Sequence, residues 1–373
     1  MAAFTGSQRK LTSLIIFLVS CNHFMQRPLR DMMATLYGAE NMNWLMTGTL
    51  AGSVFLSLVI HRLEKKACMI QSIPHILFLM SAIQILLYFS FQNPTPLLAL
   101  IYFGYTGTTS LTLLSLVFRR LTHSQEGIKN LIAASSLGAL SGPLITWGTA
   151  NLFRPPLLLL LSCLILIGVA VILRCINDDQ LIHSADNHSN SQSFPLKRMT
   201  LFTLLYTFIA TGFYYFLIKT TSISMNQGDR LMVFSLIDII INGLVVLIPV
   251  LFNYASLNAL AFIILPFTSL LLYASLGILP SLMMAAIAII LFKLTHLTIL
   301  KPVREMLFTS SLITPYSTKN FMDTTIYRLG DALGGWFITL LISLEISMHQ
   351  MALYFLPATV LWIVTGYTIS KKH

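Results

Sequence analysis

The sequence predicts an all-α, polytopic membrane protein with twelve transmembrane helices, and three observations carry that expectation. Of 373 residues, 56% are hydrophobic and only 10% are charged, where a soluble domain holds about 25% charged residues. The mean hydropathy is +0.79. Its apolar residues fall in repeated blocks, each long enough to cross a hydrocarbon core of about 30 Å at about 1.5 Å per residue. Finally, the net charge of +10 is divided unevenly between alternate loops, as membrane orientation requires.

The spans follow in order at 11 to 27, 43 to 61, 69 to 91, 96 to 118, 131 to 152 and 157 to 174, and then at 199 to 218, 231 to 251, 258 to 275, 280 to 300, 326 to 345 and 351 to 370. With the N-terminus in the cytoplasm, the inner segments hold Arg9, Lys10, Arg62, Lys65, Lys66, Arg119, Arg120, Lys129, Arg174, Lys197, Arg198, Lys301, Arg304, Lys319, Lys371 and Lys372. The outer segments hold only Arg27, Arg30, Arg154, Lys219 and Arg230, while Lys293 and Arg328 lie inside spans. Cytoplasmic loops are the ones enriched in Lys and Arg, so this balance is expected to put both termini inside. The polar stretch Asn177 to Arg198 has no apolar period. It reads as a flexible cytoplasmic linker, residues 177–198, between an N-terminal six-helix half (1–176) and a C-terminal half (199–373).

Every third span is free of charged residues in its interior. Spans three, six, nine and twelve have none of Asp, Glu, Lys or Arg in their interiors. Span one has His23, span eight Asp238, span ten Lys293 and His296, and span eleven Arg328 and Asp331. A charge facing lipid is costly, so charged helices line a cavity or meet a partner. Four three-helix units whose third helix faces lipid would give this period, which is the repeat plan of the major facilitator fold; spans one, four, seven and ten would then surround the cavity. Three GxxxG motifs, Gly48 to Gly52, Gly138 to Gly142 and Gly330 to Gly334, lie on the second helices of such units. They are expected to let the halves approach closely, although GxxxG also arises by chance in membrane helices.

The motif least expected in a membrane span occurs twice. Arg27-Pro28-Leu29-Arg30-Asp31-Met32 ends span one and Lys301-Pro302-Val303-Arg304-Glu305-Met306 ends span ten, both reading basic, Pro, aliphatic, Arg, acidic, Met. Pro is expected to end or kink each helix, leaving the Arg and the acid to pair with each other or with a neighbour. Two related charged clusters at opposite mouths suit two gates, or the capture of an anion from either side. Interfacial anchoring would explain the bases but not the shared Pro and acid.

These same residues carry a resemblance. The stretch from Arg27 to Leu50 and that from Lys301 to Trp336 are similar to the ATP/ADP antiporter-like family, and within it to the shorter NTP/NDP exchange transporter-like proteins, a branch of the major facilitator superfamily. A weaker echo runs from Asp229 to Asn242. The two strong blocks cover about 60 residues. The resemblance implies twelve helices, alternating access, and nucleotides or phosphorylated compounds as first candidate cargo.

Further candidate residues lie deeper. Lys293, about two turns inside span ten, is placed to hold a phosphate or carboxylate, or else to snorkel to the interface. Asp238, with Asn242 one turn later on the same face, could take up a proton or bridge to Lys293. Arg328 and Asp331 are spaced to neutralise each other. His23 and His75 read as packing residues. Substrate binding or gating is therefore expected at Arg27, Arg30, Asp31, Asp238, Asn242, Lys293, Lys301, Arg304, Glu305, Arg328 and Asp331.

No GxxxxGK[ST], HExxH, CxxC or GxSxG occurs, so neither ATP hydrolysis, a metal or other cofactor, nor nucleophilic catalysis is indicated. Arg9-Lys10 followed by Leu18-Val19-Ser20-Cys21 has the form of a lipoprotein cleavage signal. Because the family resemblance begins just after Cys21, the first helix is expected to be retained. The function expected is secondary active transport of a small anionic metabolite, not enzymatic catalysis. Membrane lipid and a small-molecule substrate are the expected partners, together with a proton or a counter-substrate; nucleic acid is not one, and no oligomer is required. The alternatives are a proton-coupled exporter of an organic molecule and a non-transporting scaffold or sensor.

Overall fold

The computed structural model describes residues 6–65, 69–91, 94–121, 128–152, 156–174, 196–251, 260–310 and 322–371. Among them 94% are helical and none is in a strand. The expected linker falls almost wholly outside the described residues. The helices are α1 (Gly6–Tyr37), α2 (Met42–Lys65), α3 (Met69–Ser90), α4 (Pro96–Leu121), α5 (Ile128–Leu152), α6 (Leu157–Arg174), α7 (Leu196–Ser224) and α8 (Gln227–Leu251). They continue with α9 (Ala261–Ile278), α10 (Leu282–Thr295), α11 (Lys301–Ser310), α12 (Tyr327–Ser343), α13 (Met348–Tyr354) and α14 (Leu356–Ser370). Among the described residues, nine helical segments are long and apolar enough to cross a membrane. Two of these are composite: Leu282–Glu305 joins α10 to α11, and Met348–Ser370 joins α13 to α14. With α1, α4 and α12 they make the twelve expected spans.

Of the two effects expected of Pro28, ending the helix is not the one observed: α1 runs on to Tyr37. A proline removes one amide donor from the helical ladder. In a low-polarity environment, leaving the helix would strip hydrogen bonds from several successive peptide groups, so continuing through the proline is the smaller loss. The chain turns instead at Gly38, whose φ of 100° is open to glycine and strained for other residues. There Asn41 closes the turn, its backbone N–H donating to Gly38 O at 3.1 Å and its side-chain amide to Tyr37 O at 3.1 Å.

The helices fall into two compact units. The first comprises Met1–Leu36, Phe55–Asp186 and Gln227–Asn242; the second comprises Tyr37–Val54, Asn187–Asn226 and Gly243–His373. The first has an aliphatic core of Ile15, Ile16 and Val19 from α1, Ile73, Leu77 and Met80 from α3, and Leu166, Val169 and Leu173 from α6. Within it α3 packs along α6. Their outward faces present Leu79, Leu86, Phe89 and Leu164, all more than half exposed, as expected of a lipid-facing surface.

The second unit is built around α7, the most buried of the candidate spans, and its core is aromatic. Phe213 stacks on Tyr273 at 4.1 Å, and Tyr273 stacks on Phe355 at 4.9 Å while donating its hydroxyl to Ile209 O at 2.6 Å. Gly212 makes room for this group, since a Cβ there would stand 2.8 Å from the Phe355 ring. In this unit α9 packs against α14, so in both units the third helices of the expected repeats pair with each other.

Two of the three GxxxG motifs do bring helices together, but inside one half of the chain rather than between halves. A Cβ on Gly138 would meet Ser20 Cβ at 2.9 Å, and one on Gly142 would meet Met25 N at 2.7 Å, so these glycines seat α5 on α1. On Gly334 it would meet Phe208 O and Thr211 Cβ at 2.9 Å, which seats α12 on α7. The glycine where α12 meets the start of α2 is Gly335, outside the motif, with Asn43 Cα 3.0 Å from its would-be Cβ.

Candidate functional site

In the first unit, α1 carries a polar stripe through an otherwise apolar bundle. Residues at i, i+4 and i+8 share a helix face, which aligns Asn22, Gln26 and Arg30, and beside them His23, Arg27 and Asp31. At the deeper end the side chains are neutral. Gln26 Nε2 donates to Ser162 Oγ of α6 at 2.6 Å and to Asn22 Oδ1 at 3.3 Å. Ser162 Oγ in turn lies 2.5 Å from Asn22 Oδ1 and 2.8 Å from Gln84 Oε1 of α3. One hydroxyl proton serves only one of those oxygens at a time, and turning over either amide supplies the second donor. Beside this network lies a small cavity with room for about one water, lined by Asn22, His23, Gln26, Gln84, Tyr105 and Thr109 among others.

About one turn further along, the stripe becomes ionic. Arg30 donates to Asp31 Oδ1 from Nε at 2.9 Å and from Nη2 at 2.7 Å, and its guanidinium lies 5.1 Å from the centre of the Phe103 ring on α4. Arg27 Nε stands 3.5 Å from Asp238 Oδ2 on α8. Asn242 does not bind the Asp238 carboxylate but its backbone, Nδ2 donating to Asp238 O at 2.8 Å. Arg230 donates to Thr35 Oγ1 at 3.0 Å, a second tie between α8 and α1. Asp31, Asp238 and Asn242 are all buried. A buried carboxylate in a membrane bundle is costly without a cation beside it, and each of these acids has one.

In the second unit, Arg304 of α11 pairs with Asp323 Oδ1 at 2.8 Å, and more loosely with its neighbour Glu305 at 3.7 Å. Arg328 and Asp331 pair at 3.0 Å as their spacing predicted, both nearly buried, and Asp331 also accepts from Thr211 of α7 at 3.2 Å. Lys293 is half-buried near the end of α10, and Lys301 is exposed at the start of α11. Tyr206 of α7 lies at the centre of this region. Its ring stacks on His296 at 4.4 Å and meets Tyr327 at 5.8 Å.

Of the expected residues, Arg27, Arg30, Asp31, Asp238 and Asn242 come together in the first unit. Arg304 with Glu305, and Arg328 with Asp331, form two pairs in the second. Asp238 has Arg27 as an ion partner. The sequence reading passed over Asp323, the neutral network of Asn22, Gln26, Gln84 and Ser162, and Tyr206. The i, i+4 spacing of Asn22 and Gln26 was the available signal for the network; nothing in the sequence marked Asp323 or Tyr206 above other acids and tyrosines. Among the described residues no group of three or more His, Cys, Asp or Glu is assembled to hold a metal ion.

No protein-family model matches the sequence, and no curated protein matches it. Solved structures do match its fold. The nucleoside transporter NupG shares 13% identity over 98% of this chain and 99% of its own, with a TM-score of 0.63. A bacterial homologue of the human lysosomal transporter Spinster shares 12% over 99% and 98%, with a TM-score of 0.64. A POT family transporter in complex with 5-aminolevulinic acid shares 12% over 98% and 96%, with a TM-score of 0.59. The chain therefore has the all-α, twelve-helix fold of the major facilitator type.

Proposed function

We propose that this chain is a secondary active transporter that moves a small, anionic metabolite across a bacterial inner membrane, with both termini cytoplasmic. It does so by rocking residues 1–176 against residues 199–373 about the 177–198 linker. The observation that carries the reading is the ionic part of the α1 stripe. Arg27, Arg30 and Asp31 are held inside a membrane bundle, and Asp238 reaches α1 from α8, a helix of the other half in chain order. Charges kept at that depth at such cost are expected where a substrate or ion passes. A pair joining helices of the two halves has the form of a contact that breaks and re-forms as the halves rock. Arg304 with Glu305 and Asp323 is its counterpart near the other mouth, and Lys293, Lys301, Arg328 and Asp331 complete the substrate-binding or gating set.

The substrate class follows from the excess of arginine and lysine on these helices and from the sequence blocks similar to the ATP/ADP antiporter-like family. Nucleotides and phosphorylated compounds are the first candidates. The named or bound ligands of the structural neighbours, nucleosides and 5-aminolevulinic acid, are likewise small and polar. Transport needs no covalent chemistry, and a counter-substrate or a proton supplies the driving force. A thermal-shift screen of the purified protein against nucleotides, phosphorylated sugars and carboxylates tests the reading. A ligand at 100 times its Kd stabilises the native state by about 2.7 kcal/mol. If no member of these classes raises the unfolding temperature of the monodisperse protein, the anionic-substrate reading is wrong.

A second reading, a proton-coupled exporter of an organic molecule, is favoured by one contact. Protonating Asp238 would discharge the buried acid that holds Arg27, and so couple proton uptake to release of α1 from α8. Transport that is lost in Asp238→Asn and insensitive to a proton ionophore in the parent would refute it.

A further inference from the structure

Two irregularities in the second unit share one bearing. Residues His296–Leu300 form a π turn between α10 and α11, closed by the backbone N–H of Lys301 donating to His296 O five residues back. Residues Met322–Ile326 form a second π turn that leads into α12. A π turn in an α-helix accommodates one extra residue, and such turns are frequent at functional sites. The Tyr206 ring stacks on His296, the first residue of one turn, and meets Tyr327, the residue that follows the other. Arg304, just beyond the first turn, is paired at 2.8 Å with Asp323, which lies inside the second. One aromatic ring and one ion pair thus tie the two turns together.

We propose that the paired π turns are the hinge of the transport cycle in this unit, with Arg304 and Asp323 as its latch and Tyr206 as its bearing. The hinge gives a mechanism to the gating assigned above and rests on that reading for its purpose, though not for its test. The geometry of the motion follows from the extra residue. Moving the π irregularity along the helix beyond Arg304, by about one helical turn, rotates the residues it passes by about 100° and advances them by about 1.5 Å. Val303 and Arg304 lie three and four residues past the turn. Such a rotation swings Arg304 away from Asp323 and brings Val303, now buried, toward the surface. The latch holds the register in which Val303 is covered.

The test reads α11 directly and needs no substrate. In a background with Cys21→Ala, Cys68→Ser, Cys163→Ala and Cys175→Ser, a Val303→Cys reporter is labelled with a small thiol reagent. Thr220→Cys, buried on α7, reports global loosening. Asp323→Asn is expected to raise the Val303→Cys labelling rate at least fivefold, equivalent to about 1 kcal/mol, and to leave Thr220→Cys unchanged. The reversed pair, Arg304→Asp with Asp323→Arg, should return the rate to the parent's. Deleting Ile299 removes the extra residue while leaving everything downstream in its present orientation, so it should abolish the response to Asp323→Asn. A rise below fivefold, an equal rise at Thr220→Cys, or a response that survives the deletion overturns the hinge. If the shortened chain does not fold, the substitution arms decide alone. Failure here refutes the hinge and leaves transport standing; failure of the ligand screen does the reverse.

Discussion

Replacing Gly142 by alanine should destabilise the protein, and the size of the effect can be worked from the α1–α5 contact. The added Cβ would stand 2.5 Å from Cys21 O, 2.7 Å from Met25 N and 2.9 Å from Phe24 C. All three are backbone atoms of α1, so no side chain can rotate out of the way. Ordinary contact begins at 3.4 Å, so α5 must retreat from α1 by several tenths of an ångström to about 1 Å. That retreat stretches the bond from Thr146 Oγ1 to Met25 O, now 2.8 Å, and loosens the contact of Ser20 with Ser135 at 2.9 Å. Overpacking of this kind costs about 1 to 3 kcal/mol. Interhelical hydrogen bonds in membranes contribute about 0.6 kcal/mol each, so a loss of about 2 to 4 kcal/mol is expected in all. Gly148, six residues later on the same helix, is the control. A Cβ there meets nothing within 4 Å, and replacing a helical glycine by alanine in open space gains up to about 1 kcal/mol. Reversible unfolding of both variants in detergent micelles measures the difference. If Gly142→Ala is as stable as Gly148→Ala, the α1–α5 approach is not as close as described, and the account of the small-residue seam is wrong.

Three other outcomes are expected. Arg27→Gln and Asp238→Asn, alone and combined, should show a coupling energy of about 1 to 3 kcal/mol in a double-mutant cycle of unfolding; additive effects would mean that the 3.5 Å pair does not hold α1 to α8. Ser162→Ala removes the hydroxyl on which Asn22, Gln26 and Gln84 converge and should cost about 1 to 2 kcal/mol. Ser141→Ala, which loses only a bond to the carbonyl four residues back on its own helix, should stay within about 0.5 kcal/mol. Finally, Arg30→Ala and Arg304→Ala should shift cysteine accessibility from the two membrane sides in opposite directions, by about tenfold for each 1.4 kcal/mol; shifts in the same direction would make both clusters interfacial anchors.

The sequence alone determined that the chain is a twelve-helix membrane protein of the major facilitator type, because span length, charge scarcity and the absence of charge from every third span follow directly from the energetics of hydrocarbon. Its spacing also offered Arg328 and Asp331 to each other, since residues three apart are neighbours on one helix, whereas for Arg30 it left Asp31 and a neighbouring helix both open. The GxxxG motifs marked helix contacts correctly but not their partners. A small residue permits close approach without naming the neighbour, and α1 and α7 took the places expected for the opposite half. Pro28 likewise marked the end of the helix only as one alternative, and the helix runs on, because propensity measured against water does not fix a helix end where water is absent. Only the tertiary structure decided that Asp238 meets Arg27, that Arg304 reaches Asp323 rather than Glu305 alone, and that Tyr206 meets His296 in one π turn and Tyr327 just after the other. Each of these contacts joins residues at least 19 positions apart. No local pattern selects between the many acids or rings a given cation or aromatic could meet; the packing of whole helices makes that choice.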